Sequence, residues 1–452
     1  MMQLLDWKQG TSRKALLVDG PRQVGKTYLV REFARQNYKH FIEINLLEKE
    51  GAAQAFNSAE NSKDLFARIT LFADAPLVPY ETLVFIDEVQ AAPEMITAAK
   101  FLVDKMGESY DFVFSGSLLG IELRNIRSWP VGYLREVSMH PLDFEEFCWA
   151  NGLAESVLDQ VRTQLCDAAP LDPFVHDRLL GLFYYYLVVG GMPEAVSNYV
   201  DTDNLQAVQN AQKDIVAAYR HDISKYCESN PLLVKDIYDS VPSQLNSQNK
   251  RYVATGLGKN IRIVRKENSF LWLIDAGVAI AAYNVDEPRY PLVLARNSTL
   301  FKLFMNDVGL LACASGMDTV RKTLSREVTN YGAVYENYVA QALVAQGIAP
   351  YYFKTKKLGE LDFVVQGAFG FVLPIEVKSG KDYKRHAALG NVMATENYGL
   401  SCAVVLHDGN VEKDGGVFYL PIYAASFMGD VIEALNPNHA GTVLTENSGA
   451  SA

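Results

Sequence analysis

The chain has 452 residues, 49% of them hydrophobic, and a formal net charge of −11, with a pI near 5.3. That length suffices for several domains with substantial cores, while the acidic balance argues against coating nucleic acid by bulk electrostatics and leaves only a local basic groove for such contacts. The five cysteines, Cys148, Cys166, Cys227, Cys313 and Cys402, form no CxxC pair and no zinc spacing, and read as reduced thiols.

From Ala15 to about Glu122, short β-rich runs alternate with amphipathic stretches. "ALLVD", "FIEINL", "TLVFID" and "FVFSG" read as strands, and "KTYLVREFARQNY" and "PEMITAAKFLVDKM" as helices between them. Such alternation predicts an α/β fold, a parallel sheet with helices on both faces, assigned to residues 1–140.

At the end of the first strand, Gly20, Pro21, Arg22, Gln23, Val24, Gly25, Lys26 and Thr27 fit the phosphate-loop pattern GxxxxGK[ST], with Tyr28 following on the helix. Inward-pointing backbone N–H groups and a helix N-terminus make a cradle for phosphates, and the two glycines permit the backbone path. Lys26 would neutralise the β- and γ-phosphates of ATP, and the Thr27 hydroxyl would ligate Mg²⁺. "TLVFIDEVQ" then ends a strand in Asp87 and Glu88, the first suited to hold Mg²⁺ and the second to polarise the attacking water. Taken alone, a strand end capped by solvated acids is the better reading of those carboxylates; after a phosphate loop it is not. In "DFVFSGS", Ser115 or Ser117 is the candidate γ-phosphate sensor, and Arg124, Arg127 and Arg135 are candidate charge-stabilising arginines.

From about Leu142 to Leu310 strand signals thin out and helical segments such as "DFEEFCWANG" and "DIVAAYRHDISKYC" dominate, so residues 141–320 are expected to form a helical region. Its segment "NPLLVKDIYDSVPSQLNSQNKRYVATGLG" has the helices of a winged-helix unit, with "NKRY" as a candidate DNA contact. "GGMPEAV" reads as core followed by a helix starting at Pro193.

After about Tyr331 the pattern turns to α/β again, assigned to residues 321–435, and residues 436–452 read as a loose tail. Asp362 begins the strand "ELDFVV", and "LPIEVKSG" presents Glu376 and Lys378 two residues apart on one strand face. With Glu336 on the preceding helix they match the E…D…ExK order of restriction-endonuclease-like folds. There Asp362 and Glu376 would hold a second Mg²⁺ and Lys378 would orient the attacking water. A surface ion pair is the competing reading of an acid-x-lysine strand.

"DGPRQVGKTYLV", "VFIDEVQ", "FSGS", "VGYLREVSMHPLDFEEFCWA" and "GGMPEAVSNYV" together resemble an AAA-superfamily group of prokaryotic ATPases that couple such a core to a C-terminal domain of formerly unknown function. The resemblance runs on through "FKLFMNDVGLL", "YENYVAQAL" and "IEVKSG", almost the whole chain. It implies a cytoplasmic protein that binds and hydrolyses ATP. Tyr133 in "VGYLREV" stands where many relatives carry a Gly-Arg pair, so no particular arginine finger is carried over. No secretory leader pattern and no apolar run of the ~18 residues needed to span a bilayer is evident, so no membrane partner is expected. A DNA or protein partner and an oligomeric state stay open. Three functions are consistent with these readings: an ATP-hydrolysing switch, an ATP-gated Mg²⁺-dependent nuclease, and a non-catalytic nucleotide-dependent interaction module.

Overall fold

The structure is a computed structural model and describes residues 1–10, 14–117, 119–122, 129–227, 230–247, 263–326 and 332–438. It divides into two units, Met1–His140 with Asp275–Val278, and Pro141–Ile274 with Ala279–Ala452.

In the first unit the order is α1 (Met2–Gln9), β1 (Ala15–Asp19), α2 (Lys26–Asn37), β2 (His40–Asn45), α3 (Ala52–Asn57), α4 (Ser62–Phe72), β3 (Thr82–Asp87), α5 (Glu94–Met106), β4 (Asp111–Ser115), α6 (Leu119–Glu122) and β5 (Leu134–Ser138). The strands form a five-stranded sheet in the order β2-β3-β4-β1-β5, parallel at every pairing. Alternate residues of each strand serve opposite faces. Leu17, Ile44, Ile86 and Phe114 pack with Phe56, Leu65, Ile69 and Leu102 of α3, α4 and α5. Leu16, Val18, Phe85 and Val113 pack with Trp7 of α1 and Val30 and Phe33 of α2. Helices therefore cover both faces, as the apolar runs imply for a sheet buried on both sides.

The second unit begins with α7 (Phe144–Ala150), α8 (Glu155–Cys166), α9 (Pro173–Val189), α10 (Pro193–Thr202), α11 (Leu205–Tyr226), α12 (Pro231–Leu245) and α13 (Ile263–Asp275). Pro193 occupies the first turn of α10, where its missing N–H costs nothing. There follow β6 (Ala279–Val285), β7 (Arg296–Met305), α14 (Val308–Ser315), α15 (Met317–Ser325), α16 (Gly332–Ala345), β8 (Tyr351–Thr355), β9 (Gly359–Gln366), β10 (Val372–Val377), α17 (Ala387–Met393), β11 (Ala403–His407), β12 (Glu412–Asp414), β13 (Val417–Pro421) and α18 (Met428–Leu435). One mixed sheet in the order β12-β13-β11-β10-β9-β8-β6-β7 holds all eight strands.

The sequence pattern does not anticipate β6 and β7 within the helical region. Both join the C-terminal sheet, β6 antiparallel to β7 and parallel to β8 through Tyr283 opposite Tyr351. The segment "AIAAYNV" carries three alanines, weak strand formers, so pairing partners rather than local propensity make it a strand. The predicted DNA contact "NKRY" lies outside the described residues, as do Arg124 and Arg127. Of the predicted tail, Asn436 is buried and donates to the Ala368 carbonyl at 3.0 Å, while residues 439–452 lie outside the described part.

A buried polar frame ties the second unit together. Asp307, fully buried, caps α14 through the Leu310 N–H at 2.9 Å and accepts the Gly191 N–H at 2.6 Å. Gln341 accepts from the Val308 N–H at 2.8 Å and donates to the Tyr186 hydroxyl at 2.9 Å. Asn337 exchanges both bonds of an amide with Met305, at 2.8 and 3.1 Å. A β-carbon on Gly191 would lie 1.9 Å from the Leu142 carbonyl oxygen, a contact whose closeness only glycine permits. The segments "GGMPEA", "MNDVGLL" and "YENYVAQ" are thus joined by hydrogen bonds, and their polar residues are spent on packing.

Candidate nucleotide site

The strand order places β4 between β1 and β3, so the phosphate loop, Ser115 and Asp87 meet at the carboxyl edge of the sheet. Asp87 is the hub. Its two oxygens accept from the Thr27 hydroxyl at 2.8 Å and from the Ser115 hydroxyl, and one also takes the Glu88 N–H at 3.0 Å. Gly25 starts α2 with a left-handed conformation, φ 92, and no side chain caps the helix, so its first N–H groups face the loop cradle. Gly20 holds φ 144, and a β-carbon there would sit 2.3 Å from the Met139 carbonyl oxygen. Val24 is buried, Pro21 is buried, Arg22 is half-buried and Gln23 is exposed with φ 66. Tyr28 is 75% exposed.

Lys26 is buried and donates to the carbonyls of Gly20 and Pro21, each at 2.8 Å. These are weaker partners than phosphate oxygens for an ammonium. Burial pushes its pKa down to about 8, against the pull of Glu88, Asp19 and Asp87. A phosphate in the cradle would raise that pKa again, so between about 8 and the bound value nucleotide binding takes up a proton and affinity falls as pH rises. We expect calorimetric titrations with ATP at pH 8.5 to give heats that depend on the buffer's ionisation enthalpy, a dependence that weakens as the pH is lowered toward 7, where Lys26 is already charged. Equal heats in all buffers for the unaltered protein would show Lys26 fully charged beforehand.

Ser115 and Ser117, left open as sensors, have different surroundings. Ser115 is committed to Asp87, whereas the buried Ser117 hydroxyl has no hydrogen-bond partner among the described residues. Gln90 was not singled out by the sequence. It donates to Glu88, and its buried Oε1, beside the backbone of Gly116, has no hydrogen-bond partner among the described residues. Its place in "IDEVQ", two residues after the second carboxylate, is the signal that could have found it. Arg135 lies opposite Leu16, toward the strand end away from the loop. Asp275–Val278 belongs to this unit, and a β-carbon on Gly277 would lie 3.2 Å from the Pro21 ring.

ATP with Mg²⁺ fits these residues. An uncapped helix start, a lysine bonded to loop carbonyls, a Thr27–Asp87 pair, and hydroxyl and amide oxygens unpartnered among the described residues together form an anion and cation cradle at one edge.

In the second unit the register of β9 and β10, with Ile375 opposite Phe363, sets Asp362 beside Glu376; Asp362 stands within β9 rather than beginning the strand as the sequence pattern implies, and Glu376 is next to the end of β10. Asp362 accepts the Val377 N–H at 2.9 Å, and Lys378 donates to Glu376 at 2.6 Å. Glu336 of α16 is buried. The four residues predicted from the sequence converge, but with company the sequence did not announce. Lys302 of β7, fully buried, lies 3.3 Å from Glu336, 3.0 Å from Glu360 and 3.9 Å from Asp362, and Lys354 pairs with Glu360. Burial works to lower the Lys302 pKa, yet Glu336, Asp362 and Glu360 hold it above its ordinary value. Among the described residues no set of three or more His, Cys, Asp or Glu side chains is placed to hold a metal ion. In this cluster an ammonium, that of Lys302, already faces the carboxylates a metal would use.

Among the described residues no helix is long and apolar enough to cross a membrane. The five cysteines are thiols, not disulfides.

Residues 12–148 match the family model of an AAA domain. Residues 180–321 and 331–425 match two domains of unknown function, DUF8612 and DUF4143. Curated proteins give no match. Among solved structures, C. elegans PCH-2 aligns at 15% identity over 45% of this chain and 62% of that one, with a TM-score of 0.27. The Aeropyrum pernix ORC1 protein in complex with DNA aligns at 13% identity over 72% and 89%, with a TM-score of 0.30. Cdc6p from Pyrobaculum aerophilum aligns at 14% identity over 73% and 94%, with a TM-score of 0.24. Scores this low assign neither a shared architecture nor a function.

Proposed function

We propose that the chain is a cytoplasmic ATP-binding and ATP-hydrolysing switch of the AAA type, whose nucleotide state acts on a nuclease-like second unit. The observation that carries the reading is the convergence of Thr27, Ser115 and Glu88 on Asp87 beside the Lys26 loop. Loop N–H groups and Lys26 would hold the phosphates. Thr27 and Asp87 would hold Mg²⁺, which when bound supplies charge neutralisation at the γ-phosphate. Glu88 accepts a proton from the attacking water, and Ser115 keeps the Asp87 carboxylate turned toward Thr27.

A restriction-endonuclease-like reading of the second unit is supported by its element order. Helix α16 is followed by β8, β9 and β10 with antiparallel neighbours, then α17 and β11 parallel to β10. The charge-filled cluster favours a binding module over a cleaving one.

The test is Lys26→Ala, which is expected to abolish binding of a fluorescent ATP analogue and all ATPase activity. Unchanged binding in that variant would end the assignment. Measuring the ATPase rate with and without DNA then reads the partner: stimulation marks a DNA-coupled switch, indifference a protein-coupled one.

A further inference from the structure

We infer that the Lys302 ammonium is a built-in cation, occupying the charge-neutralising place of the divalent metal in a nuclease-like site, so that the second unit works without metal. The inference rests on the nuclease-like reading of Glu336, Asp362, Glu376 and Lys378.

Lys302 reaches this place from β7, the edge strand of the sheet. Its side chain is 0% exposed, and its ammonium lies 5.2 Å from the centre of the Tyr352 ring, which adds a cation–π contact to its ion pairs. The carboxylates it gathers come from α16 and β9, Glu336 on the first and Glu360 and Asp362 on the second. A divalent ion needs several oxygens at roughly 2.0–2.6 Å around an open centre. Here an ammonium already faces those oxygens, and like charge repels a second cation from them.

Two further acceptors are also engaged. One Asp362 oxygen takes the Val377 N–H, and one Glu376 oxygen takes Lys378. Four carboxylates, Glu336, Glu360, Asp362 and Glu376, meet three ammonium groups, Lys302, Lys354 and Lys378. Among the described residues Glu376 Oε2 is buried without a hydrogen-bond partner, and one such oxygen does not by itself make the several-oxygen shell of a hard divalent ion.

The experiment titrates full-length, nucleotide-free protein with Mn²⁺ and follows free Mn²⁺ by its electron paramagnetic resonance signal. The unaltered protein and Asp362→Asn should bind equal numbers of ions. Lys302→Met should gain one site per chain, lost again when Asp362→Asn is added. An Mn²⁺ site in the unaltered protein that Asp362→Asn removes would overturn the inference while leaving the nuclease-like reading standing. A folded Lys302→Met protein that gains no site would overturn both. Should Lys302→Met fail to fold, the comparison of the unaltered protein with Asp362→Asn decides by itself.

Discussion

Replacing Glu88 by glutamine is expected to lower ATP turnover by about 10²- to 10⁴-fold, the range for removing a positioned general base, while ATP still binds. The two neighbouring carboxylates are separated by their surroundings. Asp87 is 3% exposed and its oxygens are taken by Thr27, Ser115 and the Glu88 N–H, so it is fixed for metal. Glu88 is half-buried and turns out of the strand at φ 56 and ψ 44, a left-handed conformation that costs a non-glycine residue about 1–3 kcal/mol. Its carboxylate accepts a hydrogen bond from Gln90. Glutamine keeps the shape and the Gln90 contact in reach but cannot take a proton from water. Equilibrium binding of labelled ATP together with single-turnover hydrolysis checks both halves. Full turnover in Glu88→Gln would place the base elsewhere.

The first unit was readable because its information is local. Parallel strands buried on both faces appear as unbroken apolar runs such as "TLVFID", and the phosphate loop packs eight consecutive residues, Gly20 to Thr27, into one function. What local pattern does not contain is strand order. Only the fold shows that β4 comes between β1 and β3, which is why Ser115 meets Asp87 instead of standing free beside a phosphate. The second unit was harder for the same reason. Nothing in "TLFKLFM" marks Lys302 as the partner of Glu336, 34 residues on, and a lysine in a strand ordinarily reads as its solvent face. The spacing Glu376-x-Lys378 was visible, whereas the cation that changes its meaning comes from a strand the helical pattern concealed. Three alanines hid its neighbour β6 as well, and pairing with β7 and β8 makes β6 a strand.

Asp307→Ala is expected to destabilise the second unit by about 2–6 kcal/mol, since each buried donor left unpaired costs about 1–3 kcal/mol and two depend on this carboxylate. One is the Leu310 N–H in the first turn of α14, the other the Gly191 N–H ahead of α10. Close backbone packing at Gly191 against Leu142 leaves little freedom for the freed N–H to find water. The pH dependence carries a definite sign. Burial raises the Asp307 pKa to about 6 from 3.8, with the Gly191 and Leu310 N–H groups pulling it back. Between those two values the native state holds more protons than the unfolded one, so this group's contribution falls as pH rises from 3.8 to 6. The stability gap between the unaltered protein and Asp307→Ala should therefore widen as pH is lowered from 7 to 5. Hydrogen exchange followed in peptides spanning residues 186–196 and 305–315 locates the effect, with the Gly191 and Leu310 amides losing protection first. Equal protection in both proteins would mean that the frame is held without this carboxylate, and that "MNDVGLL" owes its aspartate to something other than the fold.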